Sequence, residues 1–122
     1  MTVSQFMGKL LSGVNKAKLT HLAVNGKPGS GFLHLAMGEF YDEFGELVDT
    51  FIESYQGKYG VLNDIVVPES SSDLNYAFME GLANMLESES SGSLFKESWL
   101  KNMIDEMSQQ VYHTLYKLKN MK

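Results

Sequence analysis

Residues 34–57 carry one long amphipathic pattern, HLAMGEFYDEFGELVDTFIESYQG. Apolar side chains recur there every three or four positions, at Leu33, Met37, Phe40, Phe44, Leu47, Phe51 and Tyr55. This period places them on a single stripe of an α-helix. A long helix with one apolar stripe must bury it against other helices, which favours an all-α fold.

The carboxylates of this predicted helix gather on one flank beside the stripe, at Asp42, Glu46, Asp49 and Glu53. His34 lies within roughly 60–100° of Asp49 and Glu53 around the helix axis, but about 22 Å from Asp49 along it. One chain therefore cannot bring these groups to the same metal ion. If two copies of the helix pair antiparallel across a two-fold axis, His34 of one faces Asp49 and Glu53 of the other, and two identical sites form. The flank is equally compatible with a solvated helix face.

The same periodicity predicts three further helices, so that residues 1–122 form a single four-helix domain. The predicted helices lie at about 3–24, 31–56, 73–88 and 94–119. Thr2 and Gln5 match a capping box for the first helix, and Ser30 is placed to cap the second.

The spacing of the helix breaks predicts the topology. Short Gly-rich and Ser-rich breaks separate the first helix from the second and the third from the fourth, which favours two antiparallel hairpins. The connection at residues 57–72 is longer and carries apolar residues, so we expect it to pack along the bundle. Two hairpins joined by a long connection between helices 2 and 3 are typical of a ferritin-like four-helix bundle.

Composition excludes several classes of function. The chain has no cysteine, which excludes thiolate metal sites and suits a cytoplasmic location. No apolar run reaches the length of a membrane span, and the N-terminus lacks the pattern of a signal peptide. The net charge is −5 and every basic residue except histidine is lysine. Without arginine, the preferred partner of phosphates and guanine edges, autonomous nucleic-acid binding is not expected.

A known family shares the spacing of the candidate ligands. His21 to Gly26 reads HLAVNG and is followed by a turn and by His34, Asp49 and Glu53. This arrangement resembles the Dps and bacterioferritin-like branch of the ferritin superfamily, in which a histidine ends the first helix and a second histidine opens the next. The offsets of the glycine and of both carboxylates are met, although the interval from Gly26 to His34 is one residue longer.

The resemblance implies an intersubunit iron site. In that family, both histidines of one subunit and both carboxylates of its two-fold mate bind and oxidise Fe(II). Carried over to this chain, the ligands are His21, His34, Asp49 and Glu53. Mixed nitrogen and oxygen ligation suits iron, and zinc fits the same groups.

The chain departs from the family pattern at three positions. Leu22 and Ala23 replace a Trp-Asn pair, and Gly38 replaces an acidic residue four positions after the second histidine.

Residues 40–60 also resemble small, uncharacterised ferritin-like proteins often encoded by tailed phages. In the last predicted helix, Gln110 precedes His113 where an EXXH motif needs glutamate, so an intrachain di-iron site is not expected.

Each candidate ligand also has a structural explanation. His21 is equally compatible with a residue that caps or packs a helix end, His34 with a surface residue, and Asp49 and Glu53 with solvated neighbours. Two functions therefore remain open. One is Dps-like iron binding and oxidation by a homo-oligomer assembled through helix 2. The other is a non-catalytic, phage-encoded helical oligomer that binds a host or virion protein through the acidic flank.

Overall fold

A computed structural model describes residues 1–121 of the chain. It contains four α-helices: α1 (Val3–Leu22), α2 (Ser30–Tyr59), α3 (Phe78–Ser90) and α4 (Ser98–Asn120). The prediction of an all-α fold with four helices is confirmed. Within the described part of the chain, no helix is both long and apolar enough to cross a membrane.

The N-termini of α1 and α2 are built differently. The predicted capping box is present at α1, where the Thr2 hydroxyl accepts from the amide of Gln5 at 3.1 Å and the Gln5 side chain accepts from the amide of Thr2 at 2.8 Å. The prediction for Ser30 was wrong, because Ser30 is the first helical residue and Gly29 takes the cap position. Gly29 has a φ of 86°, a left-handed conformation that glycine adopts without steric cost.

The start of α3 also differs from the prediction, at Phe78 rather than residue 73. The Asp73 carboxylate accepts from the amides of Asn75 and Phe78, at 3.1 and 3.2 Å, and so forms a turn that leads into the helix. Tyr76 within this turn has a φ of 45°. Leu74 continues the helical spacing of the apolar residues in sequence, but it lies in the turn.

The connection at residues 60–77 runs along α1 in the same direction as the helix. Near its start, Asp64 accepts a hydrogen bond of 2.5 Å from the hydroxyl of Ser4. Near its end, the amide of Asp73 donates to the hydroxyl of Thr20 at 2.9 Å. The chain thus returns along the bundle before α3 begins, so α2 and α3 both run antiparallel to α1.

Aromatic side chains close the core at the end of the bundle where α1 begins. The rings of Phe6, Phe51 and Phe95 pack edge to face, with centroids 5.2–5.9 Å apart. They come from α1, α2 and the α3–α4 loop, and all three are buried. Such aromatic pairs contribute about 0.5–1.5 kcal/mol each beyond the burial of their area. This cluster therefore ties the second hairpin to the first.

Gly8 allows the connection to touch α1. A Cβ atom at this position would lie 2.1 Å from the carbonyl oxygen of Val66, and backbone cannot yield as a flexible side chain does. We expect Gly8→Ala to lower the free energy of unfolding by about 1–3 kcal/mol, measured by urea denaturation with far-UV circular dichroism.

Gly81→Ala is the matched control for this prediction. Gly81 is also helical, but a Cβ atom there has no neighbour within 4 Å. Alanine is the better helix former, so this variant should gain roughly 0.5–1 kcal/mol. Equal stability changes in the two variants would contradict the packing described for Gly8.

Candidate functional site

His21 and His34 meet where α1 ends and α2 begins. Their imidazole rings are stacked, with centroids 3.8 Å apart and planes inclined by 17°. The Nδ1 atom of His21 lies 2.6 Å from the backbone oxygen of His34, and the Nδ1 atom of His34 lies 2.7 Å from the backbone oxygen of His21. We call this reciprocal pair the histidine clasp. Two of the four candidate ligands are thus brought together within one chain.

The clasp defines the tautomer of both rings. A carbonyl oxygen only accepts hydrogen bonds, so each Nδ1 must carry the hydrogen and donate it. In the neutral rings the free lone pair is therefore on Nε2. The last carbonyls of a helix have no partner within it, and His34 satisfies one of them at the end of α1. Metal-binding histidines have this arrangement, with one ring nitrogen donating to an acceptor and the other free to bind.

Gly38 makes room for the clasp. A Cβ atom at position 38 would lie 2.9 Å from Cε1 and 3.0 Å from Nδ1 of His21. Tyr41 lies beside the same ring, with its centroid 5.4 Å from that of His21, and the Lys18 ammonium lies 5.9 Å from the Tyr41 centroid. The family resemblance marked Gly38 only as the position of a replaced acidic residue. The structure shows that any side chain here would displace the His21 ring.

Asp49 and Glu53 lie farther along α2 and are exposed. At 1.5 Å per residue, Asp49 is about 22 Å from His34 along the helix axis. In residues 1–121, no group of three or more histidine and carboxylate side chains is close enough to hold a metal ion. A site that uses all four candidate ligands must therefore combine two chains.

The acidic flank (Asp42, Glu46, Asp49 and Glu53) is exposed along its whole length. The ion pairs found in the described part of the chain join Lys58 to Glu97, Lys117 to Glu39 and Lys119 to Glu80. None of them involves the flank. Its carboxylates repel one another at helical spacing, so a bound cation or a basic partner would relieve that repulsion.

The perturbed pKa values lie away from the clasp. At the far end of α2, the Tyr59 hydroxyl donates to Glu97, which raises the pKa of Tyr59 and lowers the pKa of Glu97. Lys58, 3.3 Å from the same carboxylate, lowers the Glu97 pKa further. A hydrogen bond to Glu87 likewise raises the pKa of Tyr112. These contacts fasten neighbouring elements. No local sequence pattern indicates these contacts, because they join residues far apart in the chain.

Most of the chain is similar in sequence to a known protein family. Residues 33–118, most of the chain, match a family described as "Family of unknown function (DUF5856)". The chain belongs to the DUF5856 family. The matched segment of this DUF5856 protein includes His34, Asp49 and Glu53 but not His21. No curated protein and no solved structure gives a significant match.

Replacing Gly38 tests the clasp. Gly38→Ala should displace the His21 ring and break both reciprocal hydrogen bonds, each of which contributes about 0.5–1.5 kcal/mol. The free energy of unfolding should therefore fall by about 1–3 kcal/mol, and the NMR signals of the Nδ1-bound hydrogens should lose their protection from exchange with solvent.

Gly45→Ala serves as the control, since Gly45, like Gly38, lies on the side of α2 that faces α1. A Cβ atom at Gly45 would make an ordinary contact of 3.6 Å with Val14. This variant should keep both histidine signals and be at least as stable as wild type, since alanine is the better helix former. Protected Nδ1 signals in Gly38→Ala would show that the clasp does not depend on the space at Gly38.

Proposed function

We propose that this DUF5856 protein binds Fe(II) as a substrate at an interface between two copies and oxidises it there. The ligands are His21 and His34 of one chain with Asp49 and Glu53 of the mate. The observation that carries this proposal is the histidine clasp. It holds two imidazoles face to face, with ring centroids 3.8 Å apart, in the tautomer that leaves Nε2 of each ring free for a metal.

The course of the chain supports a ferritin-like bundle as the fold behind this site. Two antiparallel hairpins are joined by a connection that returns along α1, and this is the arrangement that distinguishes ferritin-like bundles from simple up-and-down ones. It agrees with the resemblance carried by the histidine and carboxylate spacing.

The chemistry of the ligand set suits iron. Imidazole nitrogen and carboxylate oxygen together bind borderline divalent ions such as Fe(II) and Zn(II). In the clasp, backbone carbonyls orient both rings, which is the support that outer partners give to metal-binding histidines. Each Fe(II) oxidised gives up one electron, and dioxygen is the acceptor in an aerobic solution. Zinc binds without this redox step.

Charge makes the assembly dependent on metal. Pairing two copies antiparallel through α2 brings two acidic flanks close together, and uncompensated carboxylates repel across such an interface. A cation bound between His34 of one chain and Asp49 of the other replaces repulsion with coordination, so metal binding and association are coupled.

Sedimentation velocity tests this coupling. With Fe(II) kept under anaerobic conditions, or with Zn(II), the protein should sediment as a dimer or larger oligomer. Removal of the metal with a chelator should shift it toward monomer. A monomer under every condition would contradict both the interface and the shared site.

Substitutions at the ligands test the chemistry. His34→Ala and Asp49→Ala should each abolish tight metal binding and reduce aerobic Fe(II) oxidation, followed by absorbance, to the rate in buffer. The double variant should lose little more, because both residues serve one site and their effects are not additive. His113→Ala, an exposed histidine on α4, is the matched control and should behave as wild type.

Circular dichroism should show that these variants remain folded. Asp49 is exposed, so its loss should not affect the core. His34→Ala gives up clasp hydrogen bonds and should unfold somewhat more easily. Wild-type protein that oxidises Fe(II) no faster than buffer would rule out the enzymatic function.

A second candidate function is a non-catalytic helical oligomer that binds a host or virion protein through the acidic flank. One observation favours it: the clasp already has a structural use, because it satisfies a carbonyl at the end of α1 and packs into the space at Gly38. Wild-type protein that associates without binding metal would support this candidate over the first.

A further inference from the structure

An open groove lies between α1 and α3, on a different side of α1 from the clasp. These two helices touch far less than α1 touches α2. The groove has a volume of about 390 Å³, and three apolar residues of α3, Phe78, Leu82 and Met85, line it together with Pro68 of the connection. We call the three α3 residues its base. Phe78 and Met85 are only partly buried. The bundle therefore leaves apolar surface uncovered along this seam.

Small residues keep the groove open. Gly81 lies on its α3 wall, is exposed, and has no atom within 4 Å of where a Cβ would be. On the opposite wall, Gly13 of α1 approaches Leu82 closely, since a Cβ there would lie 3.1 Å from a methyl group of Leu82. Side chains therefore fill the base of the groove, whereas the space beside Gly81 is empty.

One edge of the groove is positively charged. Lys9 and Lys16 line it from α1, a helix whose sequence contains no aspartate or glutamate. Neither lysine belongs to an ion pair within residues 1–121. They are two helical turns apart, or about 10.5 Å along the axis. An apolar base beside a cationic edge complements a segment with an apolar face and carboxylates along one side.

The lysine spacing indicates the conformation of that segment. In a helix lying along the groove, residues seven apart fall on the same face at about 10.5 Å, so carboxylates at i and i+7 meet both lysines. In an extended strand, the same distance separates residues three apart, which point to opposite faces. We propose that the α1–α3 groove binds an acidic amphipathic helix of a partner protein. This is the helix-in-groove mode of recognition, with apolar anchors at helical spacing.

A designed peptide tests the groove in the full-length protein. The probe is a fluorescent helical peptide with leucines at i+1, i+4 and i+8 on one face and glutamates at i and i+7 along one side of that face. Fluorescence anisotropy should show saturable binding that weakens with salt. Lys9→Glu combined with Lys16→Glu should weaken binding by about tenfold or more, because both edge charges are reversed. Lys27→Glu, an exposed lysine in the α1–α2 loop, is the matched control and should bind as wild type.

Gly81→Leu tests the apolar part of the groove without removing a charge. Leucine fills the open space, so peptide binding should be lost, while helix propensity predicts that the fold is at least as stable as wild type. Gly81→Ala, with a much smaller side chain, should retain most of the binding.

Three results would overturn the proposal: no saturable binding of the peptide to wild-type protein, undiminished binding to Gly81→Leu, or equal binding of a peptide with lysine in place of glutamate. Competition by dodecanoate for the groove, without any binding of the peptide, would also overturn it and would assign the groove to a small anionic amphiphile. Asp49→Ala should bind the peptide normally, so failure of the iron proposal and failure of this one are distinguishable.

Discussion

The reciprocal hydrogen bonds between His21 and His34 couple the end of α1 to the start of α2, and the remaining features of the hairpin are arranged around this contact. Gly38 leaves the space that the His21 ring occupies, and Gly45 allows Val14 to approach two helical turns farther along. These contacts hold the two helices in one antiparallel register. The imidazoles that form the candidate site are therefore also the groups that join the helices.

This double role constrains the chemistry. Because both Nδ1 atoms are bound to carbonyl oxygens, a metal can reach the rings only through Nε2. The clasp leaves one Nε2 lone pair free on each of two stacked rings, and in the proposed site the oxygen ligands come from elsewhere. Within residues 1–121 the carboxylates of the acidic flank form no ion pair, and Asp49 and Glu53 lie too far from the clasp to share a metal with it in the same chain. A two-fold pairing satisfies both needs at once.

Local patterns predicted much of the fold. Apolar periodicity located all four helices, and the Thr2–Gln5 capping box was evident from sequence because it joins residues three apart. The start of α3 was misplaced because Leu74 continues the helical spacing into a turn. The Asp73 carboxylate forms this turn locally, but the hydrogen bond that holds the turn against α1, from Asp73 to Thr20, spans more than fifty residues and has no local signal.

At the candidate site, too, local sequence patterns indicated some features, whereas contacts between distant residues were not evident from them. The spacing of His21 and His34 in the sequence marked them as candidate ligands. It indicated neither the stacking of their rings nor the hydrogen bond from each ring to the backbone of the other residue. At Gly38 the resemblance indicated only a replaced acidic residue, because the steric contact of this position with His21 exists only once the two helices have packed. No sequence pattern indicated the groove between α1 and α3 either, because it depends on how two helices that are far apart in the chain pack against each other.

Complementation between variants tests the shared iron site most directly. One variant carries His21→Ala with His34→Ala, the other carries Asp49→Ala with Glu53→Ala, and each alone should bind no Fe(II) tightly. After the two are mixed, unfolded and refolded together, each mixed dimer contains one intact site formed by histidines of one chain and carboxylates of the other. Random pairing should then restore about one quarter of wild-type metal binding. No recovery in the mixture, with wild-type protein binding Fe(II) under the same conditions, would contradict a site shared between two chains.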